Sequence, residues 1–256
     1  MHISARLLSF AVGATFIFAP STQLLAQTTG QGPIRTVLAV GRVPSMVDAP
    51  MHLRLSRVSL PAGAAASYRG DTSAVYVLKG SLSVTGGQDS RALQQGDGMY
   101  FASGVDLQLR AGSNASTEFL QYQLLPAANL AKPIMITAAS VAELHRMAIP
   151  PGTLKPGPYE LSLIRVTLAA GAARPRPHTR SGAALYYVLA EGAITFWPAA
   201  TVDKLAGESR TEPRPVGAVQ EEPYGFIHSW SPKPDAALVL LQANISQEGV
   251  PEIIFV

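Results

Sequence analysis

The sequence predicts an all-β chain in which two jelly-roll barrels follow one another in tandem. Composition, strand pattern and an internal repeat lead to this prediction. The chain has 22 Gly, 20 Pro and only 14% charged residues, and turn residues bound its short runs of Val, Leu and Tyr, which is typical of β proteins. Its length allows one large β domain or two small ones.

The internal repeat decides between one domain and two. Residues 53–80 align with residues 161–192, and residues 96–109 align with residues 217–230. Each copy is a series of short strands with period-two alternation and glycine turns, the pattern of a double-sheet jelly roll. The sequence therefore predicts one barrel for each copy.

The repeat also predicts the domain boundaries. The first barrel spans residues 27–126, a linker spans residues 127–157, and the second barrel spans residues 158–256. In the linker, Ser140 is a candidate N-cap for a short helix, and we expect His145 on the surface of that helix.

The strand-like segments at the two ends of the mature chain lie outside the repeat. Residues 33–43 either begin the first barrel or cross over to the sheet of the second. The apolar C-terminal residues 249–256 are expected to pair with a sheet edge rather than to be free.

The first 26 residues have the pattern of a secretory signal peptide. Arg6 precedes an apolar run from Leu7 to Ala19, which is too short to span a bilayer, and small polar residues lead to a cleavage site near Ala26. The alternative is a buried N-terminal helix. The signal predicts a periplasmic or secreted protein that starts near Gln27, has no membrane segment after cleavage and, with no Cys, is held together by its core.

Charge and motifs exclude several classes of function. The net charge is +3, and acids and bases are interspersed without a basic run, so nucleic-acid binding is not predicted. The sequence has no G-x-S-x-G elbow, no H-E-x-x-H helix and no phosphate-binding G-x-x-x-x-G-K-[ST] loop.

One motif demands a particular local geometry. Gly217, Pro223, Gly225 and His228 form G-x5-P-x-G-x2-H, which predicts a tight turn that delivers an imidazole to the start of a strand. The run resembles the second motif of the cupin family, although the closing Asn of that motif is replaced by Pro232.

The two repeats together resemble a bicupin over most of residues 50–245, and the resemblance implies two double-stranded β-helix barrels. In this family, two histidines one residue apart, a glutamate and the histidine of the second motif hold Fe, Mn, Ni, Cu or Zn. Here only His178 and His228 match ligand positions. Arg180 occupies the second histidine position, and Leu185 or Ala184 occupies the glutamate position.

Arg180 favours a different ligand chemistry. A guanidinium is always protonated and cannot ligate a metal, but it can hold a carboxylate or phosphate through two hydrogen bonds. Alternatively, Arg180 forms a structural ion pair with Glu221 or Glu222. Either glutamate, or Tyr187, is also a candidate third metal ligand.

The first barrel has no predicted metal site. Arg69 occupies the position that matches Arg180, while Ser67 and Leu107 replace the two histidines. We therefore expect this barrel to be retained for packing.

The sequence thus predicts an exported bicupin whose second barrel binds a small polar or anionic molecule. Arg180, Tyr187 and Trp230 are the candidate ligand-binding residues. The alternative is a metal-dependent oxygenase or isomerase with one divalent transition metal on His178 and His228. Two further interpretations stay open: the histidines are hydrogen-bonded core groups, or the barrels present a surface to a partner or to a second copy through the apolar tail.

Overall fold

The short alternating segments of the sequence form antiparallel strands. The computed structural model describes residues 32–43, 50–86, 89–132, 136–149 and 153–256, and the predicted signal peptide lies outside them. Apart from a 3-10 turn at Ala127–Asn129, the regular structure of the described residues is all β. No helix among them is long and apolar enough to cross a membrane.

The strands follow one another along the chain in two series. The first series is β1 (Ile34–Val43), β2 (Met51–Leu60), β3 (Ala65–Tyr68), β4 (Ser73–Lys79), β5 (Ser81–Gly86), β6 (Asp89–Gln94), β7 (Gly98–Phe101), β8 (Leu107–Ala111) and β9 (Thr117–Pro126). The second series is β10 (Ser140–Ile149), β11 (Tyr159–Leu168), β12 (His178–Arg180), β13 (Ala183–Ala190), β14 (Gly192–Phe196), β15 (Arg210–Arg214), β16 (Val219–Pro223), β17 (His228–Ser231), β18 (Leu238–Gln247) and β19 (Ile253–Phe255).

These strands form two barrels of two sheets each, as the sequence predicts. The first barrel combines the sheets β10-β2-β9-β4-β7 and β3-β8-β5-β6. The second combines β1-β11-β18-β13-β16 and β15-β14-β17-β12-β19. The fold is therefore all-β with two jelly-roll barrels.

The two barrels exchange their first strands. β1 crosses over and pairs with β11, with Ile34 opposite Thr167 and Val43 opposite Tyr159. β10 pairs in turn with β2 of the first barrel. Each barrel thus carries an edge strand that the chain supplies from outside the repeat.

The prediction of a helix in the linker is wrong at residues 140–149. This segment is β10, because Met147 and Ile149 point at period two into the core between the barrels, and pairing with β2 satisfies the backbone. His145 is consequently a strand residue, and its Nε2 lies 2.6 Å from Oε1 of Glu221 in the other barrel.

Three apolar cores follow from the alternation along the strands. One face of the sheet β10-β2-β9-β4-β7 packs against one face of the sheet β1-β11-β18-β13-β16 of the other barrel, and this core includes Leu55, Tyr122 and Leu163. The opposite faces close the first barrel around residues such as Phe119 and the second around residues such as Trp230. Successive residues of a central strand therefore belong to different cores.

A pair of repeat-related contacts joins the barrels. Nη2 of Arg57 in the first barrel donates to the hydroxyl of Tyr187 in the second at 2.7 Å. The equivalent arginine of the second copy, Arg165, interacts with Tyr76 of the first. The internal repeat thus has a spatial counterpart in two matching Arg–Tyr contacts.

The C-terminal tail pairs with a sheet edge, as expected. β19 lies against β12, with Phe255 opposite His178 and Ile253 opposite Arg180. The last residues of the chain therefore form one wall of the region that contains the candidate site.

Candidate functional site

The two histidines that match the cupin motif positions lie side by side in the second barrel. His178 begins β12, His228 begins β17, and the two residues are direct cross-strand partners. Their ring centroids are 4.5 Å apart, and both side chains are buried. The turn before His228 has the predicted form, because Gly225 has φ +86° and the amide of Phe226 bonds to the carbonyl of Pro223.

Both imidazoles are oriented in the same way. Nδ1 of His178 lies 2.9 Å from the carbonyl oxygen of Arg176, and Nδ1 of His228 lies 3.0 Å from that of Phe226. Since a carbonyl can only accept, Nδ1 carries the proton in each case. Burial, with His228 and Arg180 nearby, lowers the pKa of His178 to about 4, so at neutral pH its Nε2 holds a free lone pair.

Glu222 supplies a buried carboxylate beside the histidines. On β16, Glu222 lies opposite Ala184 and faces the barrel interior, whereas Glu221 lies opposite Leu185 and faces the first barrel. Ala184 is one of the two positions where the cupin motif has its glutamate. The carboxylate is thus present on the neighbouring strand, directly across from that position.

Every oxygen of Glu222 has a partner. Nε of Arg180 donates to Oε2 at 2.8 Å, and the indole Nε1 of Trp230 donates to Oε1 at 2.7 Å. Nε2 of His228 lies 2.8 Å from the same oxygen, Oε1. Burial by itself raises the pKa of Glu222, yet His228 and Arg180 outweigh it and hold this pKa well below its usual range. Glu222 is therefore ionised.

Arg180 is the centre of this network. It is 1% exposed, and besides Glu222 its Nη2 donates to the hydroxyl of Tyr186. That hydroxyl donates onward to Oε1 of Gln242 at 2.8 Å. The remaining Nη1 is buried and has no hydrogen-bond partner among the described residues. A buried cationic donor without an acceptor is unusual in proteins and indicates a place for one.

A cavity of about 280 Å³ adjoins Arg180. His178, Arg180, Tyr186 and Trp230 line it from the barrel interior. The other lining residues are apolar side chains and two arginines nearer the surface, namely Pro33, Arg35, Val166, Leu168, Pro175, Arg176, Leu240, Ile253 and Phe255. The cavity is thus largely apolar and carries its positive charges on arginines.

The candidate ligand-binding residues are only partly brought together. Arg180 and Trp230 line the cavity, but Tyr187 does not, because it points to the opposite face of β13 into the core between the barrels. The structure therefore corrects this candidate, and the neighbouring Tyr186 takes the place expected for Tyr187. The facing of two adjacent aromatics depends on the strand register, which the sequence alone does not determine.

The first barrel has no comparable arrangement among its described residues. Arg69, the counterpart of Arg180, is exposed and pairs with Asp106 at 3.1 Å. Ser67 and Leu107 stand at the positions that match the two histidines.

The donor set in the second barrel does not fit a metal centre. Among the described residues, no group of three or more His, Cys, Asp or Glu side chains could hold a metal ion. Two imidazoles are fewer than the three protein ligands that a catalytic ion normally has, and both oxygens of Glu222 already accept hydrogen bonds. No metal-dependent step therefore follows from these residues.

Comparison with known proteins identifies the fold. No protein-family model and no curated protein matches this chain by sequence. Among solved structures, an oxalate decarboxylase is 14% identical with a TM-score of 0.53, and a variant of the Bacillus subtilis oxalate decarboxylase is 13% identical with a TM-score of 0.54; both matches cover 90% of this chain and 81% of the other. Vicilin from hazelnut, Corylus avellana, is 13% identical with a TM-score of 0.49, covering 76% of each chain. The chain has the cupin β-barrel fold.

Proposed function

We propose that the second barrel binds a small organic anion in the cavity beside Arg180. The observation that carries this proposal is the buried Nη1 of Arg180, which has no hydrogen-bond partner among the described residues although its side chain lines the cavity. An anionic oxygen in the cavity would accept from this donor, and hydrogen bonds to charged groups are the strong ones.

The charges around the cavity support an anion rather than a cation. Arg35, Arg176 and Arg180 line it, and no acidic side chain of the described residues does so. Arg35 is paired with Glu252, whereas Arg176 has no ion pair within the described part of the chain and its guanidinium lies 5.3 Å from the Phe255 ring. Positive charge is therefore in excess at the cavity wall.

The residues of the network fix the binding wall. Glu222 accepts from Nε of Arg180, and Tyr186 accepts from Nη2, one of its two terminal nitrogens. A guanidinium fixed at two of its three nitrogens loses little freedom when a ligand binds the third. His178 lines the cavity beside Arg180.

A binding experiment tests the proposal directly. The purified protein is titrated by calorimetry with acetate, benzoate, oxalate and phosphate, and with acetamide and benzamide as neutral matches. We expect at least one anion to bind and its neutral counterpart to bind at least tenfold more weakly, which corresponds to about 1.4 kcal/mol. If no anion stabilises or binds the protein, the proposal is wrong.

A matched pair of variants locates the binding. Arg180→Gln should weaken anion binding roughly tenfold to a hundredfold, since a charge-assisted hydrogen bond contributes about 1.5–3 kcal/mol. Arg69→Gln changes the equivalent arginine of the first barrel, which is exposed, and should leave binding unchanged. Equal losses in both variants would show that the anion responds only to overall charge.

The alternative, a metal-dependent oxygenase or isomerase on His178 and His228, makes an opposite prediction. The structurally similar oxalate decarboxylase of Bacillus subtilis has Mn(II) centres, but in this chain Arg180 takes one ligand position. We expect elemental analysis to find no stoichiometric Fe, Mn, Ni, Cu or Zn. Near-stoichiometric metal that disappears in His228→Ala would favour the enzyme.

We also propose that the protein acts outside the cytoplasm, in the periplasm or after secretion. The support is the signal-like pattern of residues 1–26. N-terminal sequencing of protein from the exporting host should begin near Gln27, and an intact N-terminus on the exported protein would contradict the cleavage.

A further inference from the structure

The cavity beside Arg180 has a largely apolar lining, with which a fully polar anion would make no favourable contact. Most of its lining consists of aliphatic, proline and aromatic side chains, and Val166, Leu168 and Leu240 are themselves buried. Surface of this kind contributes to affinity only by covering apolar parts of a ligand. The charged end and the apolar wall therefore point to two different parts of one molecule.

We infer that the ligand is a monocarboxylate with an apolar alkyl or aryl body, whose carboxylate meets Arg180 and whose body fills the apolar part of the cavity. This inference rests on the proposed function and specifies the class of anion. A short dicarboxylate would leave the apolar wall in contact with water, and a second charged end would face buried aliphatic side chains.

The size of the cavity limits the body. An apolar cavity of about 150 Å³ accepts benzene, and the cavity here is about 280 Å³. It can therefore take roughly ten to twelve non-hydrogen atoms, on the same scale. An eight-carbon alkyl acid and a phenylalkanoic acid both fall in this range.

The mouth of the cavity fits the same ligand class. Phe255 is 56% exposed on β19 and lines the cavity, and Arg176 lies with its guanidinium over this ring. An exposed aromatic at a cavity edge can cover the distal part of an apolar body, and the arginine stem adds further apolar surface. Phe255 is thus the residue whose contact with the ligand depends on the length of the apolar body.

A homologous series separates the contribution of the body from that of the charge. The purified protein is titrated with acetate, butanoate, hexanoate, octanoate and dodecanoate, with octanol and oxalate as head-group and body controls. Each methylene should tighten binding about fourfold, from ~0.8 kcal/mol per buried CH2, until the cavity is full. Octanol should bind at least tenfold more weakly than octanoate.

Two matched pairs of variants test whether the body lies in the cavity. Phe255→Ala should weaken octanoate binding several-fold without changing acetate binding, whereas Tyr224→Ala removes an aromatic of similar exposure, 46%, that does not line the cavity. Arg176→Ala and Arg174→Ala form a second pair, because Arg174 lies at the same 5.3 Å over Trp197 outside the cavity. These side chains are exposed, so the variants should fold.

The outcomes distinguish the two proposals. If oxalate or acetate binds as tightly as octanoate, the apolar-bodied ligand is wrong and anion binding at Arg180 stands. If octanol binds as tightly as octanoate, the cavity is apolar but the carboxylate assignment is wrong. If phosphate binds and no carboxylate does, the monocarboxylate assignment is wrong and anion binding at Arg180 stands. If no anion binds, both proposals are overturned.

Discussion

Removing the negative charge of Glu222 tests the buried network most directly. Glu222 is completely buried and accepts hydrogen bonds from Arg180 and Trp230. Glu222→Gln keeps the shape of the side chain but leaves the Arg180 guanidinium without a counter-ion. Breaking a buried ion pair at one partner costs about 3–5 kcal/mol, so we expect a loss of that size.

The adjacent residue provides the control. Glu221 makes a half-exposed contact with His145, with side chains 42% and 36% exposed, and a contact of this kind is worth less than about 1 kcal/mol. Glu221→Gln therefore changes the same charge by the same chemistry one residue away, at a position that faces the first barrel instead of the interior of the second.

The measurement is the free energy of unfolding from urea titrations at pH 7, followed by tryptophan fluorescence. For a chain of this size, 3–5 kcal/mol lowers the melting temperature by roughly 10 °C, so thermal scans should agree. Adding Arg180→Met to Glu222→Gln removes the unpaired charge and should recover part of the loss. The reasoning is refuted if the free energies of unfolding of the two Gln variants lie within about 1 kcal/mol of each other. It is also refuted if Arg180→Met destabilises the Glu222→Gln variant as much as it destabilises the unchanged chain.

Three further predictions concern pH, the inter-barrel contact and the tail. The pKa of His178 is about 4 in the folded chain, and its ordinary value is 6.5, so the unfolded chain takes up the proton first as the pH falls. The free energy of unfolding should therefore decrease from pH 6.5 to pH 4, and in His178→Gln this decrease should be smaller by about 3 kcal/mol. Tyr187→Phe should lower the free energy of unfolding by about 2 kcal/mol, because the hydrogen bond from Arg57 is lost. Anion affinity in calorimetry should be unchanged; a weakened affinity would show that Tyr187 belongs to the binding site. Truncation before Pro251 removes β19 and should abolish anion binding. The truncated chain should elute from gel filtration as an assembly of the same number of chains as the full chain; a smaller assembly would identify the tail as an oligomer contact.

The architecture was predictable because it depends on patterns that repeat. The copies at residues 53–80 and 161–192 carry the same alternation, and glycine turns punctuate both. The turn at Gly225 was predictable as well, since a positive φ there needs glycine. The strand at residues 140–149 was not predictable, because it pairs with the edge of a sheet that lies far away in sequence. This pairing outweighs the local helix propensity of the segment.

The candidate site was predictable only where a motif determines on which face of its strand a residue lies. His178 and His228 could be placed on one pair of strands because the cupin resemblance supplies their register. The sequence offered Glu221 and Glu222 equally, and only the pairing of β16 with β13 selects Glu222 for the interior. Tyr186 and Tyr187 pose the same two-fold ambiguity, which no composition or spacing can resolve.

Two of the departures from the cupin motif, at the second histidine and at the glutamate, are physically linked. Replacing a ligand histidine by Arg180 puts a permanent charge inside the barrel, and a buried charge needs an opposite charge and full hydrogen bonding. Glu222 meets this need from the strand across from Ala184, where the motif would place its own carboxylate. The guanidinium thus occupies the region in which the resemblance implies a metal ion. Because a guanidinium has several donors and Glu222 and Tyr186 use only two nitrogens, this exchange leaves one donor for a ligand, which is the basis for expecting an anion rather than a metal in this barrel.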